Sequence, residues 1–159
     1  MKVVIIAAGQ GSRLKSQTAN TPKTLLNING NPLIYKLLKN CILPEISGVI
    51  IVTGYQHQII EDYITNVDLD INIETVYNPN WKLENGLSIL SARDAIPSGE
   101  NFIVSMSDHY YGSDLLEMVV KTSLNDNIAT VGLDFNINNI FDIDDGMKVK
   151  IDPLDNTKI

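Results

Sequence analysis

The stretch Val3–Leu26, VVIIAAGQGSRLKSQTANTPKTLL, constrains the fold more than any other part of the chain. Val3-Val4-Ile5-Ile6 is an apolar, β-branched run, the pattern of a strand buried on both faces. It passes through Ala7-Ala8 into Gly9, Gly11 and Ser12, where only small residues let an anion approach the main-chain amides. Arg13 follows, with Pro22 and Lys23 further on. A strand that opens into an amide-rich loop, with two separated cations behind it, is the outline of a triphosphate cradle.

Other glycine loops fit less well. A dinucleotide-binding turn needs G-x-G-x-x-G running straight into a helix. Here Leu14 stands in place of the third glycine, and Thr18–Pro22 and Asn27–Asn31 are rich in turn formers, so no helix is predicted before Pro32. A P-loop is excluded because G-K-[ST] does not occur. A plain structural turn competes with any lone G-x-G, and Arg13 with Pro22-Lys23 tips the reading toward phosphate.

Asn31-Pro32 reads as an N-cap followed by Pro at the first helical position. Leu33, Ile34, Leu37, Leu38, Cys41 and Ile42 then recur at helical spacing, with Lys36 and Lys39 outward. Val49–Val52 is a second buried strand, ending at Thr53-Gly54-Tyr55. Ile59, Ile60, Tyr63, Ile64 and Val67 mark another helix, and Asp70–Tyr77 a third strand. A loop over Asn78–Gly86 precedes a predicted helix over Leu87–Ala95. Phe102–Met106 is a fourth buried strand, and it runs directly into Ser107-Asp108-His109-Tyr110-Tyr111. Leu115 to Leu124 is helical in pattern, Ile128–Leu133 reads as a fifth strand, and Met147–Ile151 as a short β segment.

Strand and helix alternate, so the expected fold is α/β: three layers, α/β/α, around a mainly parallel sheet. Ligands of such sheets bind beyond the carboxyl ends of the strands. Gly9–Arg13, Thr53–Tyr55 and Ser107–Tyr110 each follow a strand directly and should converge on one edge.

At 159 residues the chain is expected to form one domain with a real core. No apolar run approaches the roughly 20 residues that span a bilayer, and Val3–Ala8 reads as a strand and not as a signal peptide. The single cysteine, Cys41, lies on an apolar helical face and reads as a core thiol, and the cytoplasm is the expected compartment. The net charge of −7 is unevenly distributed: residues 1–44 hold half of the 12 basic residues and none of the 19 acidic ones. No broad basic surface suits a nucleic acid, whereas a basic segment around a glycine loop suits a compact polyanion such as a nucleoside triphosphate.

Asp108 follows an apolar strand at the edge shared with the glycine loop. A carboxylate there can bridge Mg²⁺ to phosphate oxygens, and the competing reading is a turn-forming Asp. Arg13, with its planar fork, suits the β- and γ-phosphates, and Lys23 suits the α-phosphate or an acceptor phosphate as a point charge. His109 either touches the acceptor or buttresses its loop. Tyr110 and Tyr111 line an acceptor pocket or pack in the core. Trp81 covers a ligand or plugs a hydrophobic gap, His57 is expected to be solvated, and the acid run Asp142–Asp145 reads as a solvated turn before a metal site.

A-A-G-x-G-S-R-L followed by P-K-T-L-L resembles the signature of nucleotidyltransferases with a glycosyltransferase-A-like (nucleotide-diphospho-sugar transferase) fold. These join a nucleoside triphosphate to a sugar phosphate or alcohol phosphate. The resemblance implies that Ala7, Ala8, Gly9, Gly11, Ser12, Arg13 and Lys23 bind the nucleotide and that Asp108 holds the metal. Glu84–Leu90, ENGLSIL, resembles a base-pocket segment of inositol-1-phosphate cytidylyltransferases, which adds Asn85, Gly86 and Ser88. Met106–Tyr111 and Phe141–Val149 resemble stretches of the same family, with His109 and Tyr110 on the acceptor side. The implied reaction is Mg²⁺-dependent transfer from CTP to inositol 1-phosphate, giving CDP-inositol and pyrophosphate. The alternatives are a sugar 1-phosphate or phosphocholine as acceptor, UTP or dTTP as donor, or nucleotide binding without catalysis. The family domain continues for many tens of residues past the point matched by Ile159, so the resemblance implies a C-terminally shortened domain whose open sheet edges favour self-association.

Overall fold

The computed structural model describes residues 1–11, 21–122, 129–133, 135–136, 148–150 and 153. They fall into two compact units, Met1–Leu124 and Asn125–Ile159. The first unit is built on a four-stranded parallel sheet. Its strands are β1 (Lys2–Ala7), β4 (Gly48–Thr53), β5 (Ile73–Tyr77) and β6 (Phe102–Met106), in the order β5-β4-β1-β6. Between β1 and β4 lies a small hairpin of β2 (Asn27–Ile28) and β3 (Asn31–Pro32).

Side chains alternate across a strand, and β1 therefore feeds two cores. Val3, Ile5 and Ala7 join Val49 and Ile51 on one face, under three helices: α1 (Leu33–Asn40), α2 (His57–Thr65) and α4 (Ser113–Val120). Val4 and Ile6 join Ile50 and Val52 on the other face, where Ala92 and Ile89 approach from α3 (Asn85–Ser91) and its exit. This is the α/β/α layering that the alternation of elements implies. The chain moves from β1 to β4 to β5 and then crosses to the far side of β1 to form β6. That reversal places a topological switch point between the carboxyl ends of β1 and β6.

Five expectations about these elements need correction. Pro32 is not the first helical residue of α1 but its N-cap, in an extended conformation. Asn29 and Gly30 take positive φ values of 50° and 90°, the backbone of a two-residue hairpin, and the returning strand uses Asn31-Pro32 before the helix starts. The third strand is shorter than Asp70–Tyr77, because its ladder to β4 begins at Ile73. The helix expected over Leu87–Ala95 starts at Asn85 and ends at Ser91, and a 3₁₀ turn over Arg93–Ala95 takes its last residues. Residues 129–133 of the expected fifth strand lie in neither helix nor strand, and nor do residues 148–150 of the short β segment. A short apolar run becomes a strand only when a neighbouring ladder pairs with it, and Val131 is 52% exposed. Ser12, Arg13, Ile128 and Asp142–Asp145 lie outside the described residues.

Candidate active site

The three loops anticipated at one sheet edge are tied together by backbone hydrogen bonds. Tyr55 N–H donates to Ala8 C=O (2.9 Å), and Ser107 N–H donates to Ile6 C=O (3.0 Å). Ala7 and Ala8 are buried, and Gly54 explains why position 8 must be small. A Cβ on Gly54 would lie 2.7 Å from the Ala8 carbonyl oxygen, 2.9 Å from Ala8 Cβ and 2.4 Å from Trp81 Cβ. Trp81 in turn packs its ring on Tyr55, centroids 5.4 Å apart. Past the buried Ala7 and Ala8, Gly9 is exposed and Gln10 and Gly11 are partly so. Among the described residues a Cβ on Gly9 would meet nothing within 4 Å, whereas Gly11 needs its positive φ of 59° and faces the Lys23 side chain.

Lys23 is delivered by a 3₁₀ turn, Lys23–Leu25, that Pro22 opens and that closes with Leu25 N–H on Pro22 C=O (2.8 Å). Thr24 is buried within it, which anchors the turn and leaves Lys23 free to reach outward. The Lys23 ammonium donates to Asp108 Oδ2 at 2.8 Å. Asp108 stands just past the end of β6, so the pair sits at the switch point. The other oxygen, Oδ1, lies 2.8 Å from His109 Nδ1. Burial pushes the Asp108 carboxyl up, but the hydrogen bond and charge of Lys23, with His109 beside it, outweigh this and hold it below the usual carboxylate range. With both side chains about a third exposed, the pair contributes at most about 1 kcal/mol to stability.

The loop after Asp108 is held from α1. Asn40 Nδ2 donates to the Tyr111 carbonyl, and the Lys36 ammonium lies 5.9 Å from the centre of the Tyr110 ring, which is 60% exposed. Of the α3 residues, Asn85 and Gly86 are exposed in the first turn, and a Cβ on Gly86 would meet nothing within 4 Å. Ser88 differs: it is buried, and its hydroxyl accepts from Asn78 Nδ2 at 3.0 Å. Asn78, which the sequence did not single out, is also buried. Its N–H donates to Thr53 C=O, and its side-chain oxygen accepts from Asn80 N–H, so one side chain joins β5, the following turn and α3. A polar residue directly after a strand was the available signal.

His57 is not the solvated side chain expected. Its Nδ1 lies 3.2 Å from Glu61 Oε2, Glu61 Oε1 accepts from the Thr53 hydroxyl (2.7 Å), and the imidazole packs on Tyr77 at 4.3 Å. Cys41 is buried at the end of α1, where burial pushes its thiol up to about 12. That suits a core thiol and not a nucleophile. A cavity of about 700 Å³ opens near the amino ends of β4 and β5, lined by Leu43, Pro44, Leu69, Asp70 and Asn72 among others, and includes none of these site residues. Among the described residues no group of three or more His, Cys, Asp or Glu side chains comes together.

A glycine loop, a lysine and a strand-end carboxylate at one switch point can hold a polyanion and a divalent cation together. The chain matches the family model described as nucleotidyl transferase over residues 2–135. It belongs to the nucleotidyl transferase family. It is 33% identical over 119 residues to the bifunctional IPC transferase and DIPP synthase of Aquifex aeolicus, covering 74% of this chain and 27% of that protein. Among solved structures, the CTP:phosphocholine cytidylyltransferase of Streptococcus pneumoniae is 28% identical with a TM-score of 0.58, over 71% of this chain and 49% of the other. The inositol-1-phosphate CTP transferase of T. maritima shares the fold at 23% identity and a TM-score of 0.59, over 67% of this chain and 43% of the other. The chain thus spans about a quarter of the length of the first curated relative it matches. Among the described residues of this nucleotidyl transferase, no helix is long and apolar enough to cross a membrane.

Proposed function

We propose that the site transfers a cytidylyl group from CTP to inositol 1-phosphate, giving CDP-inositol and pyrophosphate. An oxygen of the acceptor phosphate attacks the α-phosphorus, the α–β bridging P–O bond breaks, and pyrophosphate leaves with that electron pair. The acceptor is already an anion, so catalysis is positioning plus charge stabilisation and needs no general base. The observation that carries the reading is the Lys23–Asp108 contact at the switch point, beside a glycine loop where a Cβ on Gly9 would meet no described residue within 4 Å.

Lys23 moves from Asp108 to the α-phosphate or acceptor phosphate once nucleotide enters, and Arg13 takes the β- and γ-phosphates. The glycine loop, with Ala7, Ala8, Gly9, Gly11 and Ser12, receives the triphosphate, and Asn85, Gly86 and the Ser88-anchored start of α3 face the base. Asp108 fits Mg²⁺: it is a carboxylate held ionised and partly exposed, and Mg²⁺ takes one or two carboxylates with phosphate oxygens and water. When bound there, the ion would neutralise charge on the triphosphate and its leaving group. His109 and Tyr110 face the acceptor.

The similarity to a phosphocholine cytidylyltransferase favours a second acceptor, phosphocholine, and nucleotide binding without turnover is the reading from another class. Pyrophosphate release with Mg²⁺, from CTP, UTP or dTTP against inositol 1-phosphate, phosphocholine and glucose 1-phosphate, tests all three. Release with CTP and inositol 1-phosphate alone supports the proposal. Release with another pair moves the substrate assignment. Nucleotide binding with no release from any pair supports the binding reading.

A further inference from the structure

The amino-terminal segment carries a cation that the cradle does not use. Lys36 lies on α1 and is only partly exposed, and residues 1–44 contain no acidic residue to neutralise it. The ion pairs of the described residues do not include it. Instead its ammonium lies over the ring of Tyr110, two positions beyond Asp108. Lys36 and Asn40 are four residues apart and share one face of α1, and Asn40 holds the Tyr111 carbonyl, so the helix is fastened to the loop that carries Asp108. The ammonium of a partly exposed lysine, outside the ion pairs of the described residues and held against an exposed aromatic face beside the loop of Asp108, is poised for an anion that arrives from solvent.

We propose that Lys36 binds the phosphate of the acceptor, beside the Tyr110 ring. The inference rests on the nucleotidyl-transfer reading and deepens it. Lys23 and Arg13 serve the triphosphate, while Lys36 brings the attacking phosphate monoester to the α-phosphorus, with the Tyr110 ring supporting the ammonium's stem. Both like-charged substrates then have their own cation, which offsets their mutual repulsion as they meet.

The test compares the wild-type chain with Lys36→Gln and Lys36→Arg in steady-state pyrophosphate release. Loss of one charge-assisted hydrogen bond raises the acceptor KM about 10- to 100-fold in Lys36→Gln. The nucleotide KM stays within about twofold, and Lys36→Arg recovers most of the acceptor affinity. An unchanged acceptor KM, or equal rises in both KM values, overturns the assignment. If the wild type releases no pyrophosphate with any pair, the transfer reading fails by itself, and calorimetric titration with inositol 1-phosphate reads Lys36 without turnover. Weaker binding by Lys36→Gln with recovery in Lys36→Arg then upholds the phosphate site, and identical binding by all three chains rejects it.

Discussion

Lys23 and Asp108 are 85 positions apart and meet at 2.8 Å, and the proposed function gives each of them two tasks. In the structure they neutralise each other. In the proposed reaction they separate, one toward phosphate and the other toward the metal. Lys23→Ala and Asp108→Asn are each expected to lower pyrophosphate release by at least about 100-fold. Their thermal or urea unfolding should shift by no more than about 1 kcal/mol, because the pair is partly exposed. A large loss of stability with proportionate loss of activity would make the pair structural. The depressed Asp108 carboxyl also sets a pH dependence. A carboxyl whose folded value lies below its unfolded one stabilises the fold above the unfolded value, about 3.9 for Asp, and loses that contribution as pH falls through the folded value. The wild-type advantage over Asp108→Asn in urea midpoint should therefore be full at pH 6 to 7 and shrink below about pH 4. An advantage that grows on acidification would contradict the sign.

Among the elements, the loops at the carboxyl ends are joined by small contacts that a substitution can separate. Gly54 and Gly9 lie on the same edge and are expected to behave in opposite ways. Gly54→Ala forces a Cβ against Trp81 and Ala8, and should cost about 1–3 kcal/mol in chemical denaturation. Gly9→Ala meets no atom of the described residues within 4 Å and should leave stability within about 0.5 kcal/mol while weakening nucleotide binding. Equal stability losses in the two variants would mean that the Gly9 side of the loop is packed and not open to a ligand. Asn78 joins β5 to α3 through Ser88, and Asn78→Ala should destabilise by about 1–3 kcal/mol because it strands buried polar partners. Loosening of α3 should appear as faster amide exchange at Asn85–Ser91, which would remain at its wild-type rate if the Asn78–Ser88 contact did not anchor the helix.

For the whole molecule, the uneven charge matters more than its sum. A chain of net charge −7 repels a triphosphate on average, yet its acid-free first 44 residues supply Lys23 and Lys36 to the site edge. Nucleotide affinity should consequently fall several-fold between about 50 and 500 mM monovalent salt as the Debye length shortens. Binding that is indifferent to salt would argue against a phosphate-led site. The sequence by itself determined the four parallel strands and the four helices of the first unit to within a few residues, but not the β2–β3 hairpin. Runs such as Val3–Ile6 and Val49–Val52 have one stable outcome, burial on both faces, and Leu33–Leu38 has a single apolar stripe to bury. The glycine loop, Lys23 and Asp108 were legible for the same local reason, since each follows a strand or a turn former. Only the tertiary structure decided which strands are neighbours, and so that β1 and β6 adjoin and bring Lys23 to Asp108. Local pattern does not encode strand order. That order follows from how the crossovers bury the two faces together, and Lys36, Asn40 and Asn78 gained their partners only from that packing.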